Sequence, residues 1–429
     1  MNRDFLVLED FELEGKKILV RVDINSSINP ETGEILDDTR IKRHAEKTIE
    51  YLVNKKAKIA IIAHQSRPGN LDFVPLEKHA ERMSEIIKRE VKFIPDICNS
   101  KAKKAIRNLK NKEILMLDNL RFHDDEIKIR TYNGENFEPQ ENTEMVKSLA
   151  PEFDLFVNDA FATAHRCQPS IVGFYNKMPM IAGKVMENEI EQLNKAVRGN
   201  EKPSLLVLGG SKAEDSVKIA TNFLERGIDK VLTGGVVANI FLTASGINIG
   251  NSSKDYIKNK IKNHEEIIEK AQELIEKYPE KIEMPNDIAI NCGGFRKGIF
   301  CEEFDSKAFV ENLSDKCPVN DIGVETVVRY IAEIGKAKKI IANGPMGVFE
   351  EKEFSGGTME IFSAIAESKA FTVVGGGETA AAFNMYGLKN GVNHISTGGG
   401  ACISYLAGKF MPAIEAMKRN KEKFSKKEL

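Results

Sequence analysis

The chain is 429 residues long, with 41% hydrophobic and 29% charged residues and a formal net charge of -2. That length exceeds what one ordinary core covers, so two domains are expected, with the composition of a globular protein. The balanced charge gives no reason to expect a nucleic-acid partner. No apolar run reaches the ~18 residues needed to span a bilayer, so no membrane partner is expected either.

The opening segment MNRDFLVLEDFELEGK carries acids and lacks a long apolar core, so it does not read as a signal peptide. Six cysteines, at Cys98, Cys167, Cys292, Cys301, Cys317 and Cys402, form no C-x-x-C pair and have no His at zinc spacing. Reduced thiols in a cytoplasmic protein are expected. Abundant Lys and Glu, scarce Gln and absent Trp lean toward a thermophilic source.

Along the chain, β-rich apolar runs alternate with helical patterns, which predicts parallel sheets covered by helices. In the first half the predicted strands are Lys17–Val22, Lys58–Ala63, Val91–Ile94, Ile114–Leu117 and Asp154–Val157. Helices such as IKRHAEKTIEYLVNK and LEKHAERMSEIIKR lie between them, the first with apolar Ile41, Ala45, Ile49 and Leu52 on one face. TYNGENFEPQENTE is polar and reads as a surface loop. MENEIEQLNKAV reads as an amphipathic helix, and RGNEKP after it as a break. The expected domains are 1–185 and 200–404, with an interdomain helix at 186–199. Predicted strands of the second half are Leu205–Leu208, Lys230–Thr233, Lys339–Ala342, Phe371–Val374 and His394–Ser396, and MPAIEAMKRNKEKF is helical. The Lys-rich tail reads as a solvated helix end.

The two halves end their strands differently. In the second, the runs end in glycines: SLLVLGGSKAEDS, KVLTGGVVANIF, KIIANGPMGVF, FTVVGGGETAAAF and HISTGGGACISYL. Glycine turns before helices offer bare N–H groups and a helix dipole to a nucleotide phosphate. Lys212 follows one such turn. A lysine has the wrong sign for a helix start, which favours a role in reaching phosphate. Gly376, Gly377, Glu378 and Thr379 form another, where Glu378 reads either as a Mg²⁺ carboxylate or as a helix-start charge. Asn343 and Glu350 flank a Gly-Pro turn; Asn suits a cap or phosphate, Glu a ribose hydroxyl. LTGGV reads as a tight turn. Neither the Walker A pattern nor G-x-G-x-x-G occurs.

In the first half the runs end in polar groups: Asp23 and Asn25 after ILVRV, His64 and Arg67 in AHQSRPG, Arg121 in DNLRFH and Arg166 in TAHR. Arg40 sits in DDTRIK, where Asp38 or Thr39 is placed to cap a helix. Any one arginine reads as a surface ion-pair partner. At the ends of several parallel strands they would converge, as binding a small phosphorylated anion requires. His64 and His165 read equally as ligands or as structural groups. The other five histidines read as structural.

RVDIN, DDTRIK, HQSRP, LDNLRFH, VNDAFATAHR, LGGSK, NGPMGVFE, GGGETAA and HISTGGGA stand in the order seen in phosphoglycerate kinases. The chain resembles that family over nearly its whole length. The resemblance implies an α/β fold of two doubly wound parallel-sheet domains joined by a helix and a hinge, with the C-terminal helix 405–429 packing back on the first domain. It implies reversible Mg-dependent phosphoryl transfer between 1,3-bisphosphoglycerate and ADP, giving 3-phosphoglycerate and ATP, by a monomer. Carried over motif by motif, Asp23, Asn25, Arg40, His64, Arg67, Arg121 and Arg166 make the triose-phosphate site. Lys212, Asn343, Glu350, Gly376, Gly377, Glu378 and Thr379 make the nucleotide side, with Glu378 toward Mg²⁺. Arg40 and Lys212 are the expected catalytic cations, and Ile395–Gly400 the expected hinge.

The family's usual GGAKVxDK has a second lysine where Ser216 stands, with Lys218 as a candidate substitute. GGGDT is GGGET here, and HLGRP is HQSRP. A nucleotide-binding regulator on the same scaffold, or an NAD-dependent dehydrogenase, are the alternatives; the missing dinucleotide fingerprint counts against the second.

Overall fold

The computed structural model describes residues 3–301 and 316–425. The chain divides into two compact units, one of Met1–Glu191 with Phe410–Leu429 and one of Gln192–Lys409. The division falls within the helix Lys184–Arg198.

The first unit is built on seven strands: β1 Leu6–Val7, β2 Lys17–Arg21, β3 Lys58–Ile62, β4 Val91–Ile94, β5 Ile114–Leu117, β6 Leu155–Asn158 and β7 Met180–Ala182. All pair in parallel, in the order β1-β7-β6-β2-β3-β5-β4. Their side chains are apolar on both faces because helices cover both, and Ile18, Val20, Ile59 and Ile61 are fully buried. The chain leaves β2 for β3 on one side, while β6 lies on the other. The order therefore reverses at β2, and the crevice beyond its C-terminal end is where such sheets bind ligands.

The second unit repeats this plan with β8 Ser204–Leu208, β9 Lys230–Thr233, β10 Ile282–Glu283, β11 Asp287–Cys292, β12 Phe295–Phe300, β13 Val319–Ile322, β14 Lys339–Asn343, β15 Phe371–Gly375 and β16 His394–Ile395. Six of these form a parallel sheet, β10-β9-β8-β14-β15-β16, which reverses at β8. The remaining three form a separate antiparallel sheet, β12-β11-β13, that the helix–strand alternation does not predict. Its hairpin turns at Gly293 and Gly294, both with positive φ (67° and 92°). A two-residue Gly-Gly loop is the twist-matched connection for such a hairpin.

That sheet overturns one expectation. Cys292 and Cys317 are joined by a disulfide, Cα–Cα 4.7 Å, so the cysteines are not all reduced thiols. The pairing of β11 with β13 sets Ile290 opposite Val319 and brings the two cysteines together, which a 25-residue separation does not reveal. Cys98, Cys167, Cys301 and Cys402 are buried.

TYNGENFEPQENTE is also more than a loop. Phe137 is fully buried, Tyr132 stacks on Phe410 at 4.7 Å between ring centroids, and Glu138–Glu141 forms a helical turn. Among the described residues, no helix is long and apolar enough to cross a membrane.

The helix Pro412–Phe424 lies against the first unit, packing on β7 and the turn Pro169–Val172. Fully buried Asn420 fastens it there: its Oδ1 accepts from the Met180 N–H (2.8 Å), and its amide donates to the carbonyls of Tyr175 (2.5 Å) and Met178 (2.8 Å). Removing the amide strands those backbone groups, at roughly 1–3 kcal/mol for each buried unpaired group. Asn420→Ala is expected to lower the first unit's stability by about 3 kcal/mol in urea unfolding. A loss under about 0.5 kcal/mol would show that the helix is held by its apolar face alone.

Candidate active site

At the C-terminal end of β2 the backbone carries Arg21, Asp23 and Asn25 into the crevice. Arg21 is fully buried. Its Nε donates to the Ser170 hydroxyl (3.1 Å), and its remaining nitrogens bond the Val22 carbonyl and His64 Nδ1, the latter at 2.9 Å. Ser170 in turn donates its hydroxyl (2.6 Å) and N–H (3.0 Å) to the carboxylate of Glu126, also fully buried. A guanidinium has only donors. His64 Nδ1 therefore accepts, and the proton of the neutral ring sits on Nε2. Burial first, then the surrounding guanidinium groups of Arg21, Arg121, Arg166 and Arg40, hold the His64 pKa well below its ordinary value. His64 is thus a neutral N–H donor among cations.

The cations are those expected from the strand ends. Arg40, half-buried, pairs with Asp23 at 2.5 Å. Arg121 donates to the Ser66 carbonyl, and burial, then Arg166 and Arg21, lower its pKa to about 10. Burial also lowers that of Arg166, with Arg67 and Arg40 acting in the same direction and Asp23 against them. Asp23 Oδ1 is buried without a partner. Asn25 Oδ1 accepts from Ser66 N–H at 2.7 Å, which fixes the loop carrying Arg67. The structure thus brings Asp23, Asn25, Arg40, His64, Arg67, Arg121 and Arg166 together into one basin.

The helix cap differs from its sequence reading. The Thr39 N–H is taken by Asp37 (3.0 Å), while Asp38 pairs with Arg82 (2.7 Å). Gln65 is fully buried and braces the basin's floor, accepting from Ser26 N–H (2.9 Å) and bonding His79 (3.1 Å). Ser66 holds φ 53°, a left-handed conformation that costs a non-glycine residue about 1 kcal/mol. Its hydroxyl bond to Asp72 offsets that cost. Glu126 and Ser170 lie outside the motifs, and Arg21, which opens RVDIN, showed only as a charge inside the apolar run KILVRV.

In the second unit, three glycine turns meet backbone to backbone. Gly209 and Gly210 donate to the carbonyls of Asn343 (2.9 Å) and Pro345 (2.7 Å), and Gly235 to Met346 (2.7 Å). Gly344 has φ +96°, and a Cβ there would overlap the Gly209 carbonyl. Only glycine fits that approach. Beside these turns lies a cavity of about 240 Å³ whose walls include Val236, Pro318, Val319, Phe349, Glu350 and Glu378. LTGGV contributes Gly235 and Val236 to its lining. Glu378 is exposed, its Oε2 3.3 Å from where a Gly210 Cβ would be.

Lys212, also exposed, precedes the helix Ala213–Glu225, next to Ser211 of the cavity wall. Thr379 is fully buried and accepts from Gly344 N–H at 2.7 Å. It sets the turn rather than lining the cavity. Asn343 is buried with Oδ1 unpaired, and a Cβ on Gly376 would lie 2.7 Å from that oxygen. Gly377 opens the helix Gly377–Met385. Ser216 is fully buried. Lys218 pairs with Glu214 at 2.5 Å and faces a groove with the helix His264–Lys277, away from this cavity. It does not replace the missing lysine.

Residues 8–409 match the family model described as phosphoglycerate kinase. The chain belongs to the phosphoglycerate kinase family. A phosphoglycerate kinase from Methanobacterium bryantii is 46% identical over 424 residues, 99% of each chain. One from Methanococcus maripaludis is 46% identical over 98% of this chain and 99% of its own. The crystal structure of the phosphoglycerate kinase from Pyrococcus horikoshii OT3 superposes with TM-score 0.85 at 41% identity, covering 98% of this chain and all of that one. The doubly wound α/β fold is that of the phosphoglycerate kinases, and the antiparallel sheet is an addition to the sequence reading.

The depressed pKa of His64 makes stability depend on pH. Below about pH 6.5 the unfolded chain takes a proton on this ring that the folded chain refuses, so stability falls as pH falls. His79, held to about 4 by burial, acts in the same direction. His64→Gln is expected to flatten the dependence of unfolding free energy between about pH 6.5 and 5 by up to one proton, roughly 1.4 kcal/mol per pH unit. An unchanged slope would show that His64 is protonated in the fold.

Proposed function

We propose that this protein catalyses reversible phosphoryl transfer between the acyl phosphate of 1,3-bisphosphoglycerate and ADP, giving 3-phosphoglycerate and ATP, as in glycolysis and gluconeogenesis. The observation that carries this reading is the convergence of Arg40, Arg67, Arg121 and Arg166 around neutral His64, in a chain that also carries a glycine-walled cavity. The arginines and the His64 Nε2–H bind the triose phosphate and carboxylate. Charge-assisted and bidentate hydrogen bonds suit both groups. Asp23 holds Arg40, and Asn25 holds the Arg67 loop.

The glycine turns and the N-terminus of the helix Gly377–Met385 take the nucleotide phosphates, Lys212 reaches their terminal oxygens, and Glu350 takes the ribose. Asn343 and Thr379 shape the turns. Mg²⁺ fits this half: it commonly takes one or two protein carboxylates and completes its shell with phosphates and water. Glu378, exposed beside the Gly210 turn, would hold it. The ion would supply charge neutralisation on the nucleotide phosphates.

The attacking oxygen of the nucleotide and the leaving carboxylate are anionic, so no general base is required. Catalysis is alignment, charge neutralisation and water exclusion. Arg40 and Lys212 neutralise the transferring group from its two sides. Domain closure, with Ile395–Gly400 as the hinge, joins the half-sites.

A coupled assay with 3-phosphoglycerate, ATP and Mg²⁺ tests the reading: phosphate-acceptor-dependent turnover is expected, and ATP binding without turnover would overturn it. Arg40→Ala is expected to lower kcat about a hundredfold or more, with nucleotide affinity little changed. Near-normal turnover would remove Arg40 from the reaction. Glu378→Gln is expected to weaken binding of the Mg-nucleotide; an unchanged Mg²⁺ requirement would leave Glu378 as a helix-start charge only.

A further inference from the structure

The loop between β3 and the helix Glu77–Ile87 carries Arg67 at the basin, and it bends at Ser66. Three bonds meet at that one residue. Its N–H donates to Asn25 Oδ1 (2.7 Å), its carbonyl accepts from Arg121, and its hydroxyl donates to Asp72. Ser66 makes them with its backbone in the left-handed region, φ 53°, which glycine enters freely and serine does not. The family's usual HLGRP has glycine at this place, whereas HQSRP has serine. Asp72 is partly buried; its Oδ1 takes the Ser66 hydroxyl, and its Oδ2 lies 3.4 Å from Gln65 Nε2. The Asn70 amide donates to Ser66 Oγ (3.1 Å), and Asn70 N–H to the Arg67 carbonyl (3.1 Å). Phe73, next along the chain, packs edge-on against Phe122 at 4.9 Å between ring centroids, beside Arg121.

We propose that Asp72 is a positioning residue of the phosphoglycerate site: by holding the Ser66 hydroxyl it keeps Ser66 left-handed, and Ser66 in that conformation aims Arg67 and steadies Arg121. This rests on the kinase reading above. Without the carboxylate, Ser66 relaxes toward negative φ, and its N–H and carbonyl turn away from Asn25 and Arg121. The loop is then competent to bind for only part of the time, and apparent affinity for the anion falls by that fraction. The direction of the change separates this role from a through-space one. Removing a negative charge beside a cationic basin strengthens its pull on an anion, so electrostatics alone makes Asp72→Ala tighten 3-phosphoglycerate binding. Positioning makes it weaken.

With the whole protein, ATP and Mg²⁺, Asp72→Ala is expected to raise the KM for 3-phosphoglycerate about tenfold, with kcat and the KM for ATP within about twofold. Adding Ser66→Gly to Asp72→Ala is expected to recover most of that loss, because glycine takes the left-handed turn without a side-chain bond. Asp72→Asn keeps an acceptor oxygen and is expected to keep most of the affinity. An unchanged or lowered KM in Asp72→Ala would overturn the assignment, and so would a double variant no better than Asp72→Ala. Ser66→Ala and Ser66→Gly give the same test with the carboxylate in place. Both lose the hydroxyl, but only alanine resists positive φ, so Ser66→Ala is expected to have the higher KM; equal values would overturn the assignment. Absence of turnover in the unsubstituted protein would instead overturn the kinase reading. Calorimetric binding of 3-phosphoglycerate to the same variants then tests the assignment by itself: the same ranking supports it, and equal affinities refute it.

Discussion

A charge buried at the end of a strand organises the first half of this molecule. Arg21 lies inside the sheet's covering, where a lone cation is costly. Its donors are spent on Ser170, the Val22 carbonyl and His64, and its compensating carboxylate, Glu126, stands behind Ser170. Two consequences reach the basin. His64 is fixed as a neutral ring with its proton on Nε2, facing away from Arg21. And the basin acquires a permanent cationic field, which adds to burial in lowering the pKa of Arg121 and leaves the site poised for anions. An anion entering there relieves repulsion already present in the fold.

The second half solves a different problem with the same topology. Both parallel sheets reverse at one strand, β2 in one unit and β8 in the other, and each crevice opens there. At β2 the chain emerges as side chains; at β8 it emerges as bare backbone. Guanidinium groups give a small, variable anion strong bidentate contacts. Glycine turns let a phosphate approach N–H groups directly, and Gly344 permits the β8 and β14 turns to touch. The contrast between the two sets of strand ends is thus a contrast in ligand size and charge.

Much of this was legible in the sequence. The strands of both parallel sheets that end in motif residues stood out, because apolar runs bounded by glycine or charge carry their own limits. Short strands such as Leu6–Val7 and Met180–Ala182 did not, since two or three residues have no period to read. The hairpin β11–β12 was hidden inside a pattern dominated by helix–strand alternation, although its Gly-Gly turn was a usable signal. Cys292 and Cys317 pair through a strand register that no spacing encodes. In the basin, motif residues were visible because they are polar at strand ends. Glu126 and Ser170 were not, and Arg21, though it opens RVDIN, gave no sign of its role, because these roles come from contacts across the fold. Thr379 was legible only as part of the glycine turn on the nucleotide side; in the fold its hydroxyl is turned inward and accepts from Gly344 N–H.

The account depends most on the state of His64, and imidazole ¹⁵N chemical shifts of the labelled protein report it directly. Between about pH 8 and 6, a window that spans the ordinary histidine pKa, the His64 ring is expected to remain neutral, with a protonated Nε2 and an unprotonated Nδ1. A ring protonated on both nitrogens near neutral pH, or one carrying its proton on Nδ1, would contradict the bond from Arg21 and the electrostatics built on it.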